Sequence, residues 1–256
     1  MPELLHLKLT IAYDGTGLVG WQRQPTGTSV QGLLEAALAP LDPDGSPVMV
    51  TGAGRTDAGV HALGQVASIA LRRPVDPASV VRAANLRLPP AVRVLAADAV
   101  GSEFHARFHA VAKTYRYRIW NTEVLNPFER PYVWHIAGPR LDVAAMSAAA
   151  TRLVGRHDFA AFQSTGSDAE TTERTILSAT VLSHAESGEA PLVTCDVRGD
   201  AFLRHMVRTI AGTLVEVGRG RRPVSWVDEV LASRTRGMAG MTAPAAGLFL
   251  VSVDYE

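Results

Sequence analysis

The sequence predicts an α+β protein of two halves, each a split β-α-β unit, and three observations carry that expectation. Leu5, Leu7, Leu9, Ile11 and Tyr13 alternate with His6, Lys8, Thr10 and Ala12, the period of a half-buried strand. Over the first hundred residues the patterns run strand, helix, strand, strand, helix, strand, the order of a split β-α-β unit. The same order recurs downstream without a detectable sequence repeat, so the duplication rests on element order alone. The halves are expected at 1–104 and 105–256. Their sheets are expected to join into one extended mixed, mainly antiparallel sheet with flanking helices and a central cleft.

The elements follow in chain order. Asp14-Gly15-Thr16-Gly17 ends the first strand in a loop. Thr28 or Ser29 caps a helix running to about Ala39, Val48 to Thr51 reads as a strand, and Gln65 to Leu71 as another. Asp76 opens a helix over Ala78 to about Leu86, and Val92 to Ala97 returns as a strand. In the second half His109 to Trp120 reads as a long strand and Leu141 to Val154 as an Ala-rich helix. Strands are expected over Ile176 to Leu182 and Leu192 to Val197. Leu203, Met206, Val207, Ile210, Ala211, Leu214 and Val217 fall at helical spacing, with Gly218 and Gly220 as the stop. A helix over Ser225 to Ser233 and a strand over Leu248 to Tyr255 complete the pattern. Leu125 to Pro139 and Gln163 to Thr175 read as loops.

Composition narrows the class of protein. With 47% hydrophobic and 20% charged residues and a mean hydropathy of +0.08, the chain is an ordinary globular one. The start, Met1-Pro2-Glu3-Leu4-Leu5, carries no cationic leader and no apolar run reaches membrane-spanning length, so a cytoplasmic protein is expected, with no membrane partner. The net charge of +0 argues against a generic polybasic nucleic-acid binder. Lysine occurs only at Lys8 and Lys113, so the cations are nearly all arginines, whose planar forks suit phosphate contacts and base stacking. Cys195 is the only cysteine and reads as a small core residue.

One segment stands out chemically. Between Gly52 and His61 a single carboxylate, Asp57, is framed by Gly52, Gly54 and Gly59 and lies two residues beyond Arg55. Two readings are open. In one, Asp57 bonds its own neighbouring amides in a tight turn and Arg55 points to water. In the other, the glycines let the backbone approach a ligand closely and Asp57 is catalytic. No second carboxylate lies near, so a catalytic Asp57 would act largely alone. His61, His105, His109 and His205 show no metal-ligand spacing, and no metal is expected. Trp21 could stack on RNA from its loop, but a buried loop anchor is the commoner role.

Gly54-Arg55-Thr56-Asp57-Ala58-Gly59-Val60-His61-Ala62 resembles the signature of the tRNA pseudouridine synthase A family. The resemblance extends, in family order, through Tyr13 to Thr16, Gly20 to Gln24, Phe104 to Phe108, Lys113 to Tyr117, Asn126 to Phe128, Arg174 to Ile176, Phe202 to Arg208 and Ala243 to Leu248. It implies the pseudouridine synthase fold and isomerisation of uridine to pseudouridine at positions 38 to 40 of the tRNA anticodon stem-loop. It also implies a homodimer and no cofactor. Asp57 matches the family's catalytic aspartate and Arg55 the arginine that fills the space left by the flipped-out base. Tyr115 matches the tyrosine packed on the target base, Arg208 the arginine paired with the aspartate, and Leu248 an apolar wall of the base pocket. The residues alone do not choose between Arg204 and Arg208, and Tyr115, like Tyr117, also reads as a strand tyrosine. Two other classes compete: a nucleoside hydrolase using a lone aspartate, and a noncatalytic RNA-binding sheet. A sheet that binds RNA needs exposed aromatics on adjacent strands, and this chain is only 6% aromatic.

Overall fold

The structure, a computed structural model, describes residues 4–42, 47–164, 166, 170–186 and 189–256. The expected 163–175 loop is therefore described only at 163, 164, 166 and 170–175, and the opening Met1-Pro2-Glu3 lies outside the described residues. The elements are β1 (Leu5–Tyr13), α1 (Val30–Leu38), β2 (Thr51–Gly52), β3 (His61–Leu71), α2 (Pro77–Arg87), β4 (Val92–Ala99) and β5 (Ala110–Trp120). They continue with β6 (Trp134–His135), α3 (Val143–Thr151), β7 (Gly155–Asp158), β8 (Glu173–Glu186), β9 (Glu189–Gly199), α4 (Met206–Gly218), α5 (Trp226–Ser233) and β10 (Leu248–Tyr255). Two compact units emerge: Met1–Val111 with Leu250–Glu256, and Ala112–Phe249.

In the first unit the strands lie in the order β4-β1-β3-β10. β1 runs antiparallel to both neighbours, with Leu5 opposite Leu71 and Tyr13 opposite Val92. The alternation read from the sequence is the reason: Leu7, Leu9 and Ile11 are fully buried, so a one-residue slip would turn the whole apolar set outward. Ser29 caps α1 by accepting the Gly32 N–H at 3.2 Å, and Val30, Leu34, Ala37 and Leu38 form the buried stripe. Asp76 caps α2 in the same way through Ser79, with Pro77 at the first helical position. The strand expected over Val48 to Thr51 shrinks to Thr51–Gly52, paired with Ser68 and Ala67 of β3. Val48 and Val50 are buried but join no ladder, so their apolar character predicted burial correctly and hydrogen bonding wrongly.

The second unit orders its strands β5-β9-β8-β7, all antiparallel. β6 pairs parallel with the end of β5, Ile119 opposite Trp134, and makes the sheet mixed. This short strand falls inside the expected 125–139 loop. α3, capped by Asp142 through the Ala145 N–H, packs on β8 and α4. α4 buries Met206, Val207, Ile210, Ala211, Leu214, Val215 and Val217 together with its small residues, so it is a core helix apolar on nearly every side. It begins at Met206 rather than Leu203. Leu203 is buried, which explains its helical spacing, but His205 adopts a left-handed φ of 62° that interrupts the helix there. Among the described residues no helix is long and apolar enough to cross a membrane.

Two ionisable groups in these cores set an alkaline limit on stability. Burial pushes the Tyr13 hydroxyl up to about 12 and the Cys195 thiol up to about 12. Both groups are bound more tightly to their protons in the folded chain than in the unfolded one. The stabilisation is therefore complete below the ordinary values, near 9 for the thiol and 10 for the phenol, and is lost as pH rises toward 12. The urea midpoint is expected to stay level to about pH 9 and then to fall. Each group should remove about 1.4 kcal/mol per pH unit within its window. A flat profile from pH 8 to 11 would rule out this burial effect.

Candidate active site

In the first unit Asp57 sits on the loop between β2 and β3, half-buried, with Arg55 exposed two residues before it. The loop is fastened from several directions. Thr56 O accepts the Trp21 N–H at 3.0 Å, Leu18 O accepts the Gly59 N–H at 3.3 Å, and Asp57 O accepts the Val60 N–H at 3.1 Å. From below, the Tyr13 hydroxyl meets Thr56 Oγ1 at 2.8 Å, and the Gln65 amide donates to Gly54 O at 3.0 Å and to the Tyr13 hydroxyl at 3.4 Å. Gln65 is fully buried and both of its N–H groups are used, so this polar cluster is satisfied rather than merely tolerated. Gly20, at φ 101°, lies so close that a Cβ there would stand 2.5 Å from Thr56 O. The Trp21 ring is buried against the same region, the anchoring role expected of it.

His61 closes the loop. Its Nδ1 accepts the Gly15 N–H at 3.0 Å, which needs an unprotonated Nδ1 and so a proton on Nε2 if the ring is neutral. Asp14 Oδ1 lies 3.2 Å from the same nitrogen and accepts the Thr16 N–H at 2.9 Å. A protonated ring would exchange the Gly15 bond for an ion pair with Asp14, so the Gly15 bond and the ion pair are alternatives.

In the second unit Arg208 is seated on the 243–244 segment, and Tyr115 and Leu248 lie on strands of the same unit. Tyr115, on β5 opposite Val197, is buried with its ring edge-on to Phe202 at 5.0 Å. Arg208 donates through Nε to Ala243 O at 2.7 Å, and the Ala243 N–H returns a bond to Arg208 O at 3.1 Å. The Tyr117 hydroxyl donates to Pro244 O at 2.7 Å. Burial raises the pKa of that hydroxyl far above the usual phenol value, against the opposing charge of Arg208. Leu248 begins β10 and is buried. Arg236 holds the approach to this segment, donating to Gly240 O at 2.9 Å and Thr242 Oγ1 at 2.8 Å.

The alternatives left by the sequence now separate by environment. Arg204 is exposed and donates to Gly166 O at 3.2 Å, whereas Arg208 is half-buried against the 243–248 segment. Tyr117 is a fully buried strand tyrosine whose hydroxyl is satisfied by Pro244 O. Asp57 and Arg55 are brought together in the first unit, and Tyr115, Arg208 and Leu248 fall in the second. Sequence reasoning missed Gln65 as a support. Its signal was present, since Gln65 is a polar residue on the inward register of a predicted strand. Among the described residues no group of three His, Cys, Asp or Glu is arranged to hold a metal ion.

The profile of the tRNA pseudouridine synthase family matches residues 9–109 and 149–256. The chain is 49% identical over 250 residues to tRNA pseudouridine synthase A of Myxococcus xanthus, covering 98% of this chain and 92% of that protein. It is 47% identical over 249 residues to tRNA pseudouridine synthase A of Syntrophotalea carbinolica, covering 97% and 96%. The protein of that name from Limosilactobacillus fermentum is 45% identical over 250 residues, with 97% of this chain and 95% of that one covered. Among solved structures, a chain from a Cbf5-Nop10-Gar1 complex gives a TM-score of 0.34 at 13% identity, over 82% of this chain and 45% of that one. On the match of both profile segments and these near full-length relatives, the chain belongs to the tRNA pseudouridine synthase family of isomerases.

Proposed function

We propose that this chain isomerises uridine to pseudouridine in the tRNA anticodon stem-loop, at positions 38, 39 and 40, with Asp57 as the catalytic residue. The observation that carries the reading is the fastening of the Asp57 loop: backbone bonds at Thr56, Asp57 and Gly59 join the buried Tyr13, Thr56 and Gln65 cluster to fix the loop that bears one carboxylate. A carboxylate held this way reacts without first ordering its own loop, and that entropy is a large part of what an active site supplies.

In this reading the reaction needs no added atom. The bond from the uracil ring nitrogen to the sugar breaks, the base turns, and a ring carbon bonds to the same sugar carbon. The proton that carbon loses is balanced by one gained at the nitrogen. Asp57 supplies negative charge at the sugar carbon, as nucleophile or as stabiliser of the developing cation. Arg208 is the proposed partner of the aspartate, and its Nε–H is seated on Ala243 O. Tyr115 packs on the base, and its rigid setting against Phe202 suits a stacking surface. Leu248 walls the base pocket. Arg55, exposed on the same loop as Asp57, takes the space left by the flipped-out nucleotide and offsets part of the unstacking cost, a few kcal/mol. The enzyme works without a cofactor, as a cytoplasmic homodimer. Two modest basic surfaces acting on one tRNA would reconcile a chain of net charge +0 with an anionic substrate.

The test is position-resolved pseudouridine mapping on an unmodified tRNA carrying uridines at 38, 39 and 40, with no metal or nucleotide added beyond what the tRNA needs to fold. Product at those positions is expected. Tight binding with no product would favour the RNA-binding reading, and product confined to other parts of the tRNA would overturn the site assignment.

A further inference from the structure

The segment Phe104-His105-Ala106-Arg107-Phe108-His109 has no part in the chemistry above, yet it is built with care. Its centre is sunk into the first unit. Ala106 is fully buried, its N–H donates to Ser68 Oγ at 3.3 Å, and its carbonyl accepts the Tyr255 hydroxyl at 2.6 Å. Phe104 packs against Tyr255 at 5.1 Å between ring centres. His105 holds the turn together: its Nδ1 accepts the N–H groups of Arg107 at 3.1 Å and Phe108 at 3.3 Å, and its carbonyl accepts that of His109 at 3.1 Å.

What this framework presents outward is Phe108, 72% exposed. One phenyl ring on a mobile loop would be unremarkable, because single exposed apolar residues are common. Here the ring is fixed, stacked on His105 at 4.3 Å with the planes 30° apart, and the Arg107 guanidinium stands 5.6 Å from its centre. Arg107 and His109 are exposed beside it, and residues 104–111 contain no carboxylate. An aromatic face stacked on an imidazole and flanked by a guanidinium matches a nucleobase and its phosphate better than an apolar protein face. Bases stack on such rings, and a neighbouring guanidinium reaches the backbone charge.

We infer that Phe108, backed by His105 and flanked by Arg107, is a stacking platform for an unpaired base of the tRNA substrate, separate from the uridine that reacts. The inference rests on tRNA being the substrate. The platform selects for single-stranded nucleotides, since a paired base keeps both faces in its own stack.

Equilibrium binding of unmodified tRNA, with KM for pseudouridine formation and sedimentation alongside, tests it. Phe108→Ala is expected to weaken binding about tenfold or more and to raise KM in step, as loss of one stacked base requires. Phe108→Trp should restore both. Arg107→Ala should reduce the steepness of the salt dependence by about one phosphate contact. Tight binding and unchanged KM for Phe108→Ala would overturn the inference. So would a shift in sedimentation that accounts for the loss, because the ring would then serve contact between copies of the chain. If the intact protein neither binds tRNA nor makes pseudouridine, the function proposed above fails instead, which the wild-type arm reports separately.

Discussion

Asp57→Asn is expected to lower the rate of pseudouridine formation by at least about a thousandfold, a loss of about 4 kcal/mol in transition-state stabilisation. The substitution keeps size and shape, removes the charge and turns one acceptor oxygen into a donor. The bonds that fix the loop run through Gly54, Thr56, Gly59 and Val60, so they survive the change. The melting midpoint should therefore move by no more than about 2 °C, within the range of a change that breaks no packing. Asp57→Glu is expected to fail nearly as badly, because one added methylene displaces the carboxylate from a loop that cannot shift to compensate. The decisive measurement is single-turnover formation of product at saturating enzyme, which removes binding from the comparison. A variant that retains more than a few per cent of the rate would sink the assignment of Asp57.

Gly212→Ala should be the most damaging single-methyl change outside that loop, costing about 3 kcal/mol or more in stability. A Cβ at this position would stand 1.8 Å from Met241 O, a backbone atom that no rotamer change can move aside. The contact is reciprocal, since a Cβ on Gly240 would meet the Thr213 nitrogen at 2.5 Å. α4 and the 240–244 segment approach each other through two glycines, and Gly240 N donates to Thr213 Oγ1 at 3.0 Å across the seam. Arg208 is seated two residues beyond Met241, on Ala243 O, so forcing the seam open also displaces the arginine. Activity should fall along with stability, and the melting midpoint should drop by roughly 6 to 12 °C. Gly237→Ala is the control, because a Cβ there meets nothing within 4 Å. Equal melting behaviour of the two variants would refute the close-approach argument.

The sequence disclosed those elements whose signals are local. β1 matches its expected bounds because alternation repeats along it, and α1 and α2 begin where Ser29 and Asp76 supply a side-chain oxygen to the first turn. β7 escaped because Gly155-Arg156-His157-Asp158 has no apolar alternation and is a strand only through its pairing with β8. The start of α4 was misjudged because burial, not helix, set the spacing of Leu203. The same division runs through the site. Asp57 was conspicuous within ten residues of sequence, and its supports were not: Tyr13 and Gln65 lie 43 residues before Thr56 and 11 after Gly54. Arg204 and Arg208 are alike on paper, and only their neighbours, Gly166 and Ala243, distinguish them.

The first unit takes one of its strands from Leu250–Glu256, on the far side of the whole stretch Ala112–Phe249. During synthesis β1, β3 and β4 leave the ribosome early, and the part of β3 that β10 will cover has to wait on the order of ten seconds for its partner. Through that interval the nascent sheet carries an open flank able to pair with another chain. Closure of the first unit therefore waits until the stretch Ala112–Phe249 has been made and Leu250–Glu256 follows it.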